Sequence, residues 1–384
     1  MKIISSTIDE LCNIEYGTRV TRKKDGGEIY PVYGGGGKTF YLDKTNRNNR
    51  VVISRFAMSQ KCTRFVEGDF FLNDSGLTLS PKNNELLQEY LDLIILGIND
   101  LIYDLGRGTA QRNLDMKKLR LIKISFPNSL SEQKRTVAKL NIAFEKIDNM
   151  VKSSQQQVAG ADKIYTNILS QIFEQKGEGW IESRLKEITS KIGSGATPRG
   201  GKASYKEQGI SLIRSMNVHD MRFSWKELAK IDEFQSKKLA NVEVQKNDVL
   251  LNITGASVAR CTLVPSESLP ARVNQHVSII RTDRTILSPQ LLAYGLIARV
   301  NKKKLLEIGN NAGATRQAIT KKDIEEFIFS YPKKLETQQI FIKKISDVKS
   351  KVNLLANNYK KKISNLNALK LAILKQKIQP SEVV

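Results

Sequence analysis

The sequence predicts a mixed α/β protein built twice over: two globular α/β domains in a pseudo-two-fold tandem repeat, joined by two long helices that form an antiparallel coiled coil. Three observations predict it. A segment Gly108-Thr-Ala-Gln-Arg-Asn-Leu114, followed by Ser-Phe-Pro and a long charged helix, returns as Gly313-Ala-Thr-Arg-Gln-Ala-Ile319, followed by Ser-Tyr-Pro and another. Gly108, Pro127 and Gln133 find the same residue types 205 positions later, at Gly313, Pro332 and Gln338. Farther upstream Asp69, Leu72, Asn73 and Gly76 are echoed at Asp248, Leu251, Asn252 and Gly255, 179 positions on, which places about 26 additional residues inside the second copy. A period this long marks a duplicated domain, because solenoid repeats are far shorter.

Taken in order, residues 1–131 form the first domain, with β-rich runs such as Arg50–Ser54 and Asp69–Leu72 broken by Gly, Asn and Pro, and a helix near Leu86–Ile98. Residues 132–176 form the first long helix. Val137, Leu140, Phe144, Ile147, Val151, Ser154, Val158, Ala161, Tyr165, Ile168 and Ile172 follow an unbroken three-four alternation, the seam of a coiled coil. The second domain spans 177–335, with an amphipathic turn at Leu185–Ile188 and strands around Ser211–Arg214, Asp248–Asn252 and Val277–Arg281. A helix is expected from Ser288 to about Lys304, with Ser288 as N-cap and Pro289 in its first turn. Residues 336–384 hold the second long helix and a tail. Its seam is expected at Phe341, Ile345, Val348, Val352, Leu355, Tyr359, Lys362, Leu366, Leu369 and Ile373, with Ile363 beside the one polar break. Each helix is roughly 60 Å long at 1.5 Å per residue, and so long an apolar stripe needs a partner.

Charge narrows the function. Sixty-two Lys and Arg against 39 Asp and Glu give +23, enough to bind a polyanion, nucleic acid first among candidates. Acids and 40% hydrophobic residues are interspersed with this charge, which excludes a disordered basic tail. Between Glu336 and Pro380 ten Lys face two acids, a solvated flank or a phosphate-facing one. The N-terminus turns acidic before a signal-peptide core could form, and no apolar run is long enough to span a membrane. A soluble, cytoplasmic protein without membrane contact is expected. Cys12, Cys62 and Cys261 lack Cys-x-x-Cys spacing, so neither a metal site nor a disulfide framework is expected.

Catalytic signals are sparse. Val32-Tyr-Gly-Gly-Gly-Gly-Lys-Thr39 ends like a phosphate-binding loop, but Val32 stands where the first glycine belongs and no helix start follows. His219 and His276 accompany no nucleophile motif. No AdoMet loop is present.

Hydrogen-bonding side chains around glycine are abundant. The candidate DNA contacts are Thr18, Arg19, Thr21, Arg22, Asn73, Ser75, Gln111 and Arg112 in the first copy, and Thr197, Arg199, Thr254, Ser257, Asn274, Gln275, Arg316 and Gln317 in the second. Arg, Asn and Gln can bond two atoms of a base edge at once, while Thr, Ser and glycine N–H groups suit phosphate oxygens. One by one, many of these residues could equally make turns.

Two variable halves, each opening with a Gly-x-Thr-Pro-Arg-like stretch and closing with Gly-x-x-Arg/Gln-x-x-Ile/Leu, Pro and a long helix, resemble the specificity subunit of a Type I restriction-modification system. The opening is complete at Gly195–Arg199 and lacks its proline in Gly17–Arg22. The resemblance covers essentially the whole chain. It implies that each globular half is a target-recognition domain reading one part of a split double-stranded DNA site from the major groove. It further implies that the paired helices set the spacing and dock two modification (methyltransferase) subunits, which bring AdoMet and methylate adenine. Restriction subunits would add ATP- and Mg²⁺-dependent translocation and cleavage, leaving this chain non-catalytic and without a cofactor of its own. Two rivals stand beside it: a basic coiled-coil scaffold without sequence preference, and a stand-alone nuclease or methyltransferase.

Overall fold

The structure is a computed structural model and describes residues 2–108, 111–198, 200–311, 317–378 and 382–383. It divides into two compact units, Met1–Gln156 with Tyr359–Val384, and Gln157–Asn358. Each unit holds one globular domain and parts of both long helices, Leu130–Gln175 and Leu335–Lys377.

In the first unit six strands form a sheet in the order Cys12–Tyr16, Gly76–Pro81, Arg47–Ser54, Thr63–Leu72, Tyr30–Gly34 and Gly37–Leu42. Apolar residues at the end of Arg47–Ser54 pack under a helix, Gln88–Gly97, to make the core with Leu77, Leu91 and Ile94. A separate sheet pairs Ile3–Thr7 with Ile122–Pro127, whose other edge takes Glu382–Val383. The second unit repeats the plan: Trp180–Arg184 pairs with Ile328–Pro332 as Ile3–Thr7 does with Ile122–Pro127. Its main sheet is split in two, with orders Thr189–Ser194, Val277–Thr282, Val249–Asn252, Cys261–Leu263, and Ala229–Ile231, Ile210–Ile213, Ala271–Val273, Glu243–Val244.

Strand register corrects the upstream half of the repeat. The parallel pairs Val32↔Phe71 and Tyr33↔Leu72 correspond to Leu212↔Arg272 and Ile213↔Val273, so Asn73 is matched by Asn274, not by Asn252. Likewise Ile53↔Leu77 and Ser54↔Gly76 correspond to Leu251↔Ser278 and Asn252↔Val277. Val51-Val-Ile-Ser-Arg-Phe-Ala-Met-Ser59 therefore matches Val249-Leu-Leu-Asn-Ile-Thr-Gly-Ala-Ser257. Ala57 and Gly255, equivalent on this register, both have positive φ, +48° and +71°. The 179-residue echo is a coincidence of Asp, Leu, Asn and Gly spacing on strands that are not equivalent.

The helices run antiparallel in each unit. In the second, Lys349 lies over the Tyr165 ring at 4.2 Å, and Trp180 bridges Phe173 and Phe341 edge-on. In the first, Lys370 lies over Phe144 at 5.0 Å and pairs with Asp148 at 2.7 Å, while Leu140, Leu374 and Ile378 join the domain core. Each helix thus packs on its partner helix and on a domain. On the first helix Leu140 and Ile147 are buried and Val137, Phe144 and Val151 partly so; Ser154 is buried with its hydroxyl donated to the Met150 carbonyl at 2.8 Å. On the second, Ile345, Val352 and Leu366 are buried and Val348 partly buried, but Leu355 is 39% exposed and Leu369 49%. Ala356, Ile363 and Lys370 turn inward instead. Two consecutive four-residue steps after Val348 carry the face past Leu355, as 3.6 residues per turn allows.

The helix expected through Lys304 breaks at Ala298, giving Pro289–Ile297 and Arg299–Asn311. Ala298 is extended (ψ 139°), the Asn301 amide donates to the Gly295 carbonyl at 3.0 Å, and the Ser170 hydroxyl accepts the Arg299 N–H at 3.1 Å. Groups orphaned by the break are thereby satisfied.

A cavity of about 1000 Å³ in the first unit is lined by Phe65, Asp92, Phe144, Lys370 and Leu371 among others. Burial pushes the Asp92 carboxyl up to about 6, against the opposing bonds from the Val51 N–H and the Gln88 amide. A carboxyl held above its unfolded value of 3.8 binds its proton more tightly when folded, so its contribution to stability is full below pH 3.8 and lost as pH rises through 6. Asp92→Asn is expected to stabilise the protein at pH 7 by on the order of 2 kcal/mol and to be neutral near pH 4. Thermal melts of both proteins across that window check it; a pH-independent difference contradicts it.

Candidate nucleic-acid interface

In each unit five backbone segments converge at the ends of the central strands. In the first unit Gly17 N–H donates to the Gly76 carbonyl and Thr18 N–H to Leu72, while Asn73 N–H donates to Tyr33. Arg55 N–H reaches the Ser75 carbonyl, and Leu114 N–H the Arg55 carbonyl. The second unit makes three matching bonds, Asn274 N–H to Ile213, Ile253 N–H to His276, and Ile319 N–H to Ile253, while its opening segment attaches at a different point, Gly195 N–H to Asn274.

Close approach decides the glycines. A Cβ on Gly17 would lie 1.9 Å from the Asn73 carbonyl oxygen, and one on Gly195 would lie 1.8 Å from that of Val273. Gly34 and Gly35 sit against the Asn73–Ser75 turn, and the tetraglycine is the tip of a hairpin between Tyr30–Gly34 and Gly37–Leu42. A strand follows it where a phosphate-binding loop needs a helix. Gly17→Ala and Gly195→Ala should each lower stability by about 1–3 kcal/mol, because backbone must move. Gly36→Ala, with nothing within 4 Å, should change it little. Melting temperatures of the three variants test this, and equal shifts would refute it.

The predicted contacts sort into two groups. Asn73 and Asn274 are framework: Asn73 Oδ1 accepts the Ser75 N–H and hydroxyl, and the buried Asn274 Oδ1 accepts the His276 N–H at 3.1 Å. Ser75 Oγ also accepts the Gly35 N–H at 2.9 Å. The Arg112 guanidinium donates to the Tyr103 and Asp104 carbonyls and lies over the Tyr103 ring at 4.5 Å. The amide oxygens of both Asn and two of the Arg112 nitrogens are thereby engaged by the protein, while the Asn73 and Asn274 Nδ2 groups make no side-chain hydrogen bond among the described residues.

Thr18, Arg19, Thr21, Arg22 and Gln111 are exposed, and their side chains make no hydrogen bond among the described residues; Ser257 is partly exposed. Thr197 is bonded to the exposed Gln275, Thr254 to the His276 ring at 2.5 Å, and Gln317 to Asn310 at 2.6 Å. Arg199 and Arg316 lie outside the described residues.

The family model of the Type I restriction modification DNA specificity domain matches residues 4–158 and 177–365, one copy on each half of the repeat. The chain belongs to that family. This specificity subunit also superposes, with a TM-score of 0.67, on a chain from a structure of the type I R-M system concerned with complex assembly and conformational transition, at 17% identity over 98% of this chain and 97% of that one. The HsdS subunit from Thermoanaerobacter tengcongensis matches at a TM-score of 0.51, 17% identity, and coverage of 98% and 96%. The specificity subunit is a DNA sequence-recognition component, and none of its described helices is long and apolar enough to cross a membrane.

Sequence reasoning missed Arg55 and Phe56. Their counterparts on the corrected register are Ile253 and Thr254, beside His276. The Arg55 guanidinium lies between the exposed rings of Tyr16 and Phe56, at 4.5 and 4.8 Å, and donates to the Asp74 carbonyl. The signal was available: both segments follow four consecutive buried residues, Val51–Ser54 and Val249–Asn252, and the false 179-residue echo hid it.

Proposed function

We propose that this specificity subunit reads a split double-stranded DNA target, one part with each domain, and performs no chemistry itself. The observation that carries the reading is the shared backbone frame with different side chains on it: Tyr16, Arg55 and Phe56 with Thr18–Arg22 in one copy, Thr197, Gln275, Thr254, His276 and Gln317 in the other. A common frame presents two chemistries, so two unlike base sequences can be read. The +23 charge supplies sequence-independent attraction to phosphate. Two modification subunits, bringing AdoMet for adenine methylation, and ATP- and Mg²⁺-using restriction subunits would assemble on it in the cytoplasm.

The test is co-expression with the modification subunit of its own system in a host without such methylation, followed by sequencing of modified bases. Two short blocks at a fixed gap are expected. A single contiguous motif overturns the split reading, and modification without any motif would leave a non-specific scaffold.

A further inference from the structure

Gln133 and Gln338 are the same residue type at the same place in the repeat, in the first turn of each long helix, and both side chains are wholly buried. Each amide makes the same three bonds. Gln133 Nε2 donates to the Glu85 carbonyl at 2.7 Å and the Pro127 carbonyl at 2.8 Å, and its Oε1 accepts the Leu87 N–H at 2.8 Å. Gln338 Nε2 donates to Ile286 at 2.8 Å and Pro332 at 2.9 Å, and its Oε1 accepts the Ser288 N–H at 2.8 Å. All six partners are main-chain groups, so the arrangement survives although Glu85 and Leu87 have become Ile286 and Ser288.

One side chain therefore joins three pieces: the long helix, the end of the strand feeding it, and the loop entering the domain helix. Within either unit these are what would have to slide if the domain swivelled on its helix. Asn is one methylene too short to reach all three groups, and a Glu carboxylate would face two carbonyl oxygens without a proton to give. An amide of this length suits the position, and freeing any of the buried groups carries a desolvation cost.

Resting on the split-site reading above, we infer that Gln133 and Gln338 are positioning residues that fix the angle between each recognition domain and the helix leaving it, and so restrict the DNA gap the subunit accepts. One base pair more or less shifts a half-site by about 3.4 Å and turns it by roughly 35°. A domain free to swivel could follow that change; a clamped one cannot.

The assembled methyltransferase complex, with wild-type chain, Gln133→Ala or Gln338→Ala, is given duplexes carrying both half-sites at the native gap and at gaps one base pair shorter and longer. Wild type should prefer its own gap by roughly tenfold or more, the scale of a mismatched position. Either variant should cut that preference to within about threefold, with the bases read in each half unchanged. If an alanine variant does not fold, the corresponding Gln→Met, which keeps the side-chain length and fills the buried site while removing all three bonds, is measured instead and should relax the gap in the same way. A uniform loss of rate at every gap, with the ratio intact, would show a structural role only and overturn the inference, as would unchanged rates. Absence of any gap preference in the wild type would instead overturn the split-site reading beneath it.

Discussion

Replacing residues 177–335 with the corresponding domain of another family member will change one part of the recognised DNA sequence and leave the other part as it was. The expectation follows from how the second domain is attached. Its ends, at the strands Trp180–Arg184 and Ile328–Pro332, are paired to each other, so the excised piece closes on itself. Gln338 holds it through main-chain groups at Ile286, Ser288 and Pro332, which any domain of the same backbone supplies. The demanding contacts are apolar: Phe173 packs on Trp180 and Phe329, and Gly295 admits no Cβ because Phe329 would lie 2.4 Å away. A donor domain that keeps the small residue and both aromatics should seat. Each base pair wrongly read costs about 1–3 kcal/mol, so a half-site with three changed positions loses at least a hundredfold in affinity. Mapping of modified bases reads the outcome. If both parts of the motif changed together, the domains would not read independently.

How far the sequence showed this depends on the kind of signal. The first long helix is legible because its seam is apolar at every step but Ser154, and a buried serine can return its hydroxyl to the helix, as it does to Met150. The second helix misleads locally because Leu354 and Leu355 are adjacent, and either fits a continuation of the stripe; the structure exposes both and turns the smaller, partly buried Ala356 inward. Hydrophobic spacing alone cannot decide between a three-residue and a four-residue step when small and large apolar residues alternate there.

The interface was less legible than the frame. Gly17 and Gly195 were legible as glycines of the two related opening stretches, and the structure supplies the reason: a Cβ at either would lie within 2 Å of a main-chain carbonyl oxygen. That Arg112 is held within the protein was not legible, since the carbonyls of Tyr103 and Asp104 that accept from it belong to a helix end whose position only the fold supplies. Asn73 and Asn274 are a similar case: an Asn two residues before Ser or His is as good for a turn as for a base edge, and here the turn engages its side-chain oxygen. Polar residue type at a loop is a weak signal until one knows which polar atoms the protein has already used.

Inserting one heptad into each long helix, next to Ser154 and to Tyr359, will lengthen the unspecified gap of the target by about three base pairs while both recognised blocks stay the same. These are the places where the chain passes from one compact unit to the other, between Gln156 and Gln157 and between Asn358 and Tyr359, so neither domain core is cut. Seven residues add about 10.5 Å of helix and return the seam to within roughly 20° of its former face. The apolar stripe therefore stays continuous on both strands of the pair. Three base pairs match that length but turn the duplex by about 100°, which the protein's 20° does not follow. Methylation at the longer gap should consequently be slower than wild type at its own, the DNA having to twist. Insertion into one helix alone should instead abolish activity by throwing the two seams out of step. The readout is the modified motif in a host carrying each variant; a gap left at its native length after the double insertion would mean that the paired helices are not what measures it.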